Sequence, residues 1–147
     1  MKANLATNSY VTDPRSGVAT GYSVNDDIPV GGVDPWKLET FHAIAAFAQL
    51  PGNWDGQGSS APRMGVRHVA IELIRTIPSG VVNAAPRVVP VSGGGFHFEW
   101  ARGSRELEVS VEQDGTIETL RVEDGMPLDD QKPMDLRASL AWLMGNE

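Results

Sequence analysis

PRVVPVSGGGFHFEWARGSRELEVSVEQDGTIETLRVEDG, residues 86 to 125, decides the fold. Apolar and polar residues alternate with a period of two in short runs separated by glycine turns, which is the pattern of an antiparallel meander. The turns suggest a register. If Arg102-Gly103 is the first two-residue loop, Phe98 faces Leu107 and Phe96 faces Val109. If Asp114-Gly115 is the second, Val109 faces Leu120 and Leu107 faces Val122. Both registers gather Phe96, Phe98, Trp100, Leu107, Val109, Val111, Leu120 and Val122 on one face, and a one-residue slip would undo that agreement. Val89 and Val91 add a strand before Phe96. Pro90 has no N–H for a ladder, so this strand belongs at an edge.

Upstream of the meander the period is 3.6. In VDPWKLETFHAIAAFAQLP (33–51), Asp34 suits an N-cap and Pro35 the first helical position. Leu38, Phe41, Ala45 and Ala48 make the expected core stripe. A second helix is expected from Ser60-Ala61-Pro62 to Ile77, burying Val66, Ala70, Leu73 and Ile77. A third should open at Pro133, line its core side with Leu136, Leu140 and Leu143, and stop at Gly145. Three helices need an apolar surface and one four-stranded sheet offers it. The expected fold is therefore α+β, a four-stranded antiparallel meander with about three helices on one face. Residues 1–33 show neither period and read as a flexible arm preceding a single domain over 34–147.

The net charge of −7 is unevenly spread. Nine acids stand against Arg105 and Arg121 between Arg105 and Asp130, so that segment carries the whole excess. A nucleic-acid surface would need the opposite sign, which argues against direct DNA or RNA binding and for a basic protein partner. The chain has no cysteine, so thiolate metal sites and thiol catalysis are out. No secretory signal or membrane-length apolar run is present, and the expected setting is cytoplasmic.

The same register puts His97, Glu99, Glu106, Glu108, Ser110, Thr119, Arg121 and Glu123 on the second sheet face. It makes His97 face Glu108, Glu99 face Glu106, and Glu108 face Arg121. Imidazole beside carboxylates suits a divalent cation, and a metal-dependent hydrolase using His97, Glu99 and Glu108 is the enzymatic alternative. Arg121 beside Glu108 speaks against it, and a cross-strand charge ladder explains the same residues. No G-x-S-x-G elbow occurs, and SGGGF lacks the helix and lysine of a phosphate loop. No cofactor or metal is expected. The preferred reading is a non-enzymatic acidic module that meets its partner through Glu99, Glu106, Glu108, Glu112, Arg121 and Glu123. A nuclease, toxin or nucleic-acid-binding effector would offer the basic surface it needs. Self-association through the edge at Val88–Val91, giving a homodimer, is the third possibility.

LPGNWDGQGSSAP (50–62) concentrates unusual residues between two helices. Pro51 stops the first helix, Asn53 and Asp55 suit Asx turns, Gly56 and Gly58 permit positive φ, and Trp54 can tuck between the helix ends. This is a structural joint rather than a site.

Asn53-Trp54-Asp55-Gly56 with Gly58, then Pro86 to Pro90, Gly94-Gly95-Phe96-His97-Phe98-Glu99-Trp100, Leu107-Glu108 and Asp114-Gly115 form an ordered set over roughly residues 45 to 125. In that combination the chain resembles a group of small bacterial and phage proteins with an NWDGxG motif followed by a GG-x-x-x-EW meander. It departs from them at Ser59-Ser60, where alanine is usual, and in its long arm. The resemblance carries no catalytic residues. It implies a setting among mobile elements, prophages and toxin–antitoxin loci, and with it an inhibitor or antitoxin type of protein.

Overall fold

A computed structural model describes residues 32–128 and 135–146. The expectations for the arm, for Pro133 and for Asp129 and Asp130 lie outside them. Asp34–Glu147 forms one compact unit. Its elements run α1 (Pro35–Ala46), a 3₁₀ turn (Phe47–Gln49), α2 (Met64–Arg75), β1 (Arg87–Val91), β2 (Gly95–Arg102), β3 (Arg105–Val111), β4 (Ile117–Glu123), β5 (Met126–Pro127) and α3 (Leu136–Met144). The fold is α+β, with five strands rather than four in the spatial order β1-β2-β3-β4-β5, all antiparallel. The extra strand follows Asp124-Gly125, whose φ of 54° and 77° fit the I′ turn that favours tight hairpins. β1 is an edge, as Pro90 requires. No helix among the described residues is long and apolar enough to cross a membrane.

Two registers differ from the sequence reading, with different consequences. The β2–β3 loop is Gly103-Ser104, so Trp100 faces Leu107, Phe98 faces Val109 and Phe96 faces Val111. This is a shift of two residues and keeps every side chain on its expected face. The β3–β4 loop has three residues, Gln113-Asp114-Gly115, closed by Glu112 N–H to Thr116 O at 2.8 Å. Gly115 at φ 90° supplies the left-handed residue that such a loop needs. The extra residue slips β4 by one: Leu107 faces Arg121, Val109 faces Thr119 and Glu108 faces Leu120. Every β4 side chain therefore changes face.

The core face is Phe96, Phe98, Trp100, Leu107, Val109 and Val111, all buried. An aromatic row runs along β2, with ring centroids 5.8 Å apart for Phe47–Phe96, 6.3 Å for Phe96–Phe98, 6.3 Å for Phe98–Trp100 and 6.5 Å for Trp36–Trp100. Gly95 locks β2 to β3, because a Cβ there would stand 2.5 Å from Val111 O. Leu120 is not part of this core; it is 39% exposed. Val122 is buried but between Glu106 and Pro127 of the flanking strands.

The first helix is also turned relative to expectation. α1 buries Trp36, Lys37, Thr40 and Ile44, while Leu38 is 47% exposed and Ala45 is exposed. Apolar residues on every side of this helix leave its period without a defined face, and contacts decide instead. Trp36 packs edge-on to Trp100, and the Lys37 ammonium donates to Ile77 O and to Arg75 O, two carbonyls at the end of α2. A cation on carbonyls at and just beyond a helix C-terminus is favourable, which is why a lysine is inside. α2 begins at Met64, later than Ser60, because the Ser59 and Ser60 carbonyls accept from Asn53 N–H and the Trp54 indole. Its buried residues are Val66, Ala70 and Ile74, with Ile77 just beyond its end. α3 is capped by Asp135, whose carboxylate accepts from Ala138 N–H at 2.8 Å, and ends at left-handed Gly145. It buries Leu140, Trp142 and Leu143. Arg102 donates to Met144 O at 2.6 Å and Arg105 to Trp142 O, so the β2–β3 hairpin caps its C-terminus.

Candidate functional site

The register gives the outer sheet face its composition. β2 contributes His97 and Glu99, β3 contributes Glu106, Glu108 and Ser110, and β4 contributes Glu118, Leu120 and the buried Val122. Glu112 continues the β3 alternation just beyond the strand and is exposed. Arg87 of β1 closes one side.

Glu99 lies opposite Glu108, not opposite Glu106. Two carboxylates facing each other repel, and Glu99 is matched sideways by a cation. The Arg87 guanidinium reaches Glu99 Oε1 at 2.6 Å, and His97 Nε2 stands 3.6 Å from Glu108 Oε1. The row Arg87–Glu99–Glu108–His97 thus crosses three strands. His97 lies opposite Ser110 rather than Glu108, and reaches Glu108 only diagonally across the β2–β3 ladder. Arg87, missed in the sequence reading, engages Glu99, and among the described residues no three His, Asp or Glu side chains converge as a metal cage.

Arg121 and Glu123 are not on this face. They project toward α3, where Glu123 Oε1 lies 2.7 Å from Arg105 Nε. The Arg121 and Arg105 guanidinium carbons stand 5.0 and 5.1 Å from the Trp142 ring centre. The three-residue turn accounts for this correction: odd positions of β4 now point inward. Glu118 and Leu120 replace Arg121 and Glu123 outside. Leu120 is consequently an open apolar side chain among Glu106, Glu108 and Glu118. The sequence signal was the same QDG triplet, which accommodates either a two- or a three-residue loop.

The NWDG stretch is held from within. Gln57 N–H donates to Asp55 Oδ1 at 2.9 Å, Gly58 N–H to Asn53 Oδ1 at 2.6 Å, and the Trp54 indole to Ser60 O at 3.1 Å. Asp55 Oδ2 also accepts the hydroxyls of Ser59 and Ser92, both at 2.6 Å, and Ser59 Oγ accepts from Gly93 N–H. Those hydroxyls, Ser59 first and Ser92 next, hold the Asp55 carboxyl well below the usual carboxylate range, with the Gln57 amide adding to them. The joint therefore pins the helical layer to the β1–β2 turn, a link absent from the sequence reading. Beside it lie a concavity of about 350 Å³ lined by Ser59, Arg63, Gly94 and Gln113, and a notch of about 340 Å³ lined by Val66, Val69 and Gly115. Among the described residues no histidine bonds Asp55 or Ser59, and each polar group of the set is used in holding the joint.

Compared with protein-family models, curated proteins and solved structures, the chain matches none.

Proposed function

We propose that the protein is a non-enzymatic interaction module whose outer sheet face binds a basic protein surface. One observation carries this reading. The β4 register leaves Leu120 39% exposed beside Glu106, Glu108 and Glu118, with Glu99 and Glu112 further along the same face. An apolar anchor inside a charged rim is how protein interfaces are built, since the anchor supplies desolvation energy and the rim supplies steering and orientation. A nuclease, a toxin or a nucleic-acid-binding effector has the complementary basic groove, and covering that groove would inhibit it.

Reversing Glu106, Glu108 and Glu112 to lysine tests the charge, and Leu120→Ala tests the anchor. The partner captured from host cells by the native protein should be lost from the reversed variant and weakened about tenfold or more in Leu120→Ala, at unchanged thermal stability. Capture should also weaken as salt rises. A partner retained equally by the reversed protein would refute the reading.

A further inference from the structure

We infer that the main-chain edge of β4 at Ile117 and Thr119 takes up an extended partner segment in which lysine or arginine alternates with β-branched or apolar residues. This deepens the acidic-face reading and rests on it.

β5 is only two residues long and pairs with Val122 and Glu123, extended by Leu128 N–H to Arg121 O at 2.9 Å. On the side of β4 away from β3, no strand among the described residues pairs with Ile117 to Leu120. The phase of the ladder shows which groups this leaves open. Glu112 N–H bonds Thr116 O and Asp124 N–H bonds Ser104 O, so the even positions of β4 bond to β3. Ile117 and Thr119 therefore aim N–H and C=O away from the sheet. The opposite edge is protected, because Pro90 removes a donor from β1. β4 has neither proline nor lysine between residues 117 and 120. It is the edge that invites strand addition.

The side chains specify the guest. A strand added here alternates its side chains between the two sheet faces. On the outer face its neighbours are Glu118 and Leu120, with Glu106 and Glu108 one strand further in, so basic residues fit. On the inner face its neighbours are Ile117, 44% exposed, and Thr119, so β-branched or apolar residues fit. The apolar notch at Val66, Val69 and Gly115 opens beside the start of the strand. A second copy fits less well. Two-fold antiparallel pairing centred on Glu118 sets that carboxylate against itself, and centring on Thr119 calls on the Arg121 carbonyl already bonded to Leu128.

The test is amide exchange by NMR on the full chain, with a short peptide of alternating lysine and valine as probe. A peptide with the same residues in two blocks is the control. The alternating peptide should slow exchange at Ile117 and Thr119 by about tenfold or more and leave Val88 unchanged. The block peptide should protect neither. Thr119→Pro, which removes an N–H not used by the β3–β4 ladder, should abolish the protection. Glu118→Lys, which leaves the main chain intact, should weaken the alternating peptide about tenfold and serves if the proline variant is misfolded. Three results would overturn the inference. Binding without protection at Ile117 and Thr119 would leave the acidic-face reading standing alone. Absence of peptide binding would refute strand addition, while capture by the charge-reversed protein separately decides the acidic face. Protection of Ile117 that rises with protein concentration, without peptide, would assign the edge to a second copy.

Discussion

The two β-hairpins on either side of β3 differ by one loop residue, and that residue decides what each strand is for. At Gly103-Ser104 the tight two-residue loop keeps Phe98 and Trp100 over Val109 and Leu107, all in the core. At Gln113-Asp114-Gly115 the third residue rotates β4, so that Arg121 enters the helical side and Leu120 leaves it. An error of two residues in register moves contacts along a face, whereas an error of one exchanges the faces. The first hairpin therefore builds the core, and the second builds a surface.

The largest test of that contrast pairs two leucines. Leu107→Ala, at a position 0% exposed, should cost about 2–5 kcal/mol in denaturant unfolding. Leu120→Ala should cost about 0.5 kcal/mol or less. Similar losses at both sites would return Leu120 to the core and break the comparison. Gly95→Ala comes next, because its Cβ would collide with Val111 O only if Phe96 pairs with Val111. A loss of about 1–3 kcal/mol is expected from such overpacking, and a neutral substitution would put the β2–β3 register in doubt. Arg121→Ala should cost about 1 kcal/mol through lost stacking on Trp142 and should change the emission of that tryptophan. If Arg121 stood outside, neither quantity would move.

The smallest effect is a pH dependence at the joint. Hydroxyls of Ser59 and Ser92 depress the Asp55 pKa, so its contribution to stability is present above the ordinary value of 3.8 and is lost as pH falls through the lower folded-state value. The stability difference between the native protein and Asp55→Asn should be constant above about pH 5 and shrink below about pH 4. Ser92→Ala should raise the Asp55 titration midpoint in a carboxyl NMR titration. An unchanged midpoint would remove the link between the joint and the β1–β2 turn.

Much of the architecture was legible because it is repetitive. The alternation FHFEW and LEVSV set the core face of β2 and β3, and Pro90 set the edge. The turn around β4 was not, because ETLRV alternates well enough to be read with either set of residues inside. Leu120 and Val122 make one candidate core face, while the stems of Thr119 and Arg121 make a tolerable second one. The inward side of α1 is hidden from the sequence for a related reason: Trp36 and Lys37 find partners at Trp100 and Ile77, far away in the chain, whereas Leu38 is half-exposed. The hydrogen bond from Ser92 to Asp55 spans 37 residues, and no local pattern announces it. At the candidate site the acids of β2 and β3 were legible. Their neighbours on β4 depended on the turn.

The β3–β4 register itself can be tested by cross-linking, since the chain has no cysteine of its own. Ser110 lies opposite Glu118, and such a pair stands about 5.5 Å apart at Cα, within disulfide range. Ser110→Cys with Glu118→Cys should oxidise to an intramolecular disulfide under native conditions, while Ser110→Cys with Thr119→Cys should remain reduced. The reverse result would restore the two-residue Asp114-Gly115 turn, return Leu120 to the core, and remove the exposed leucine from the acidic face.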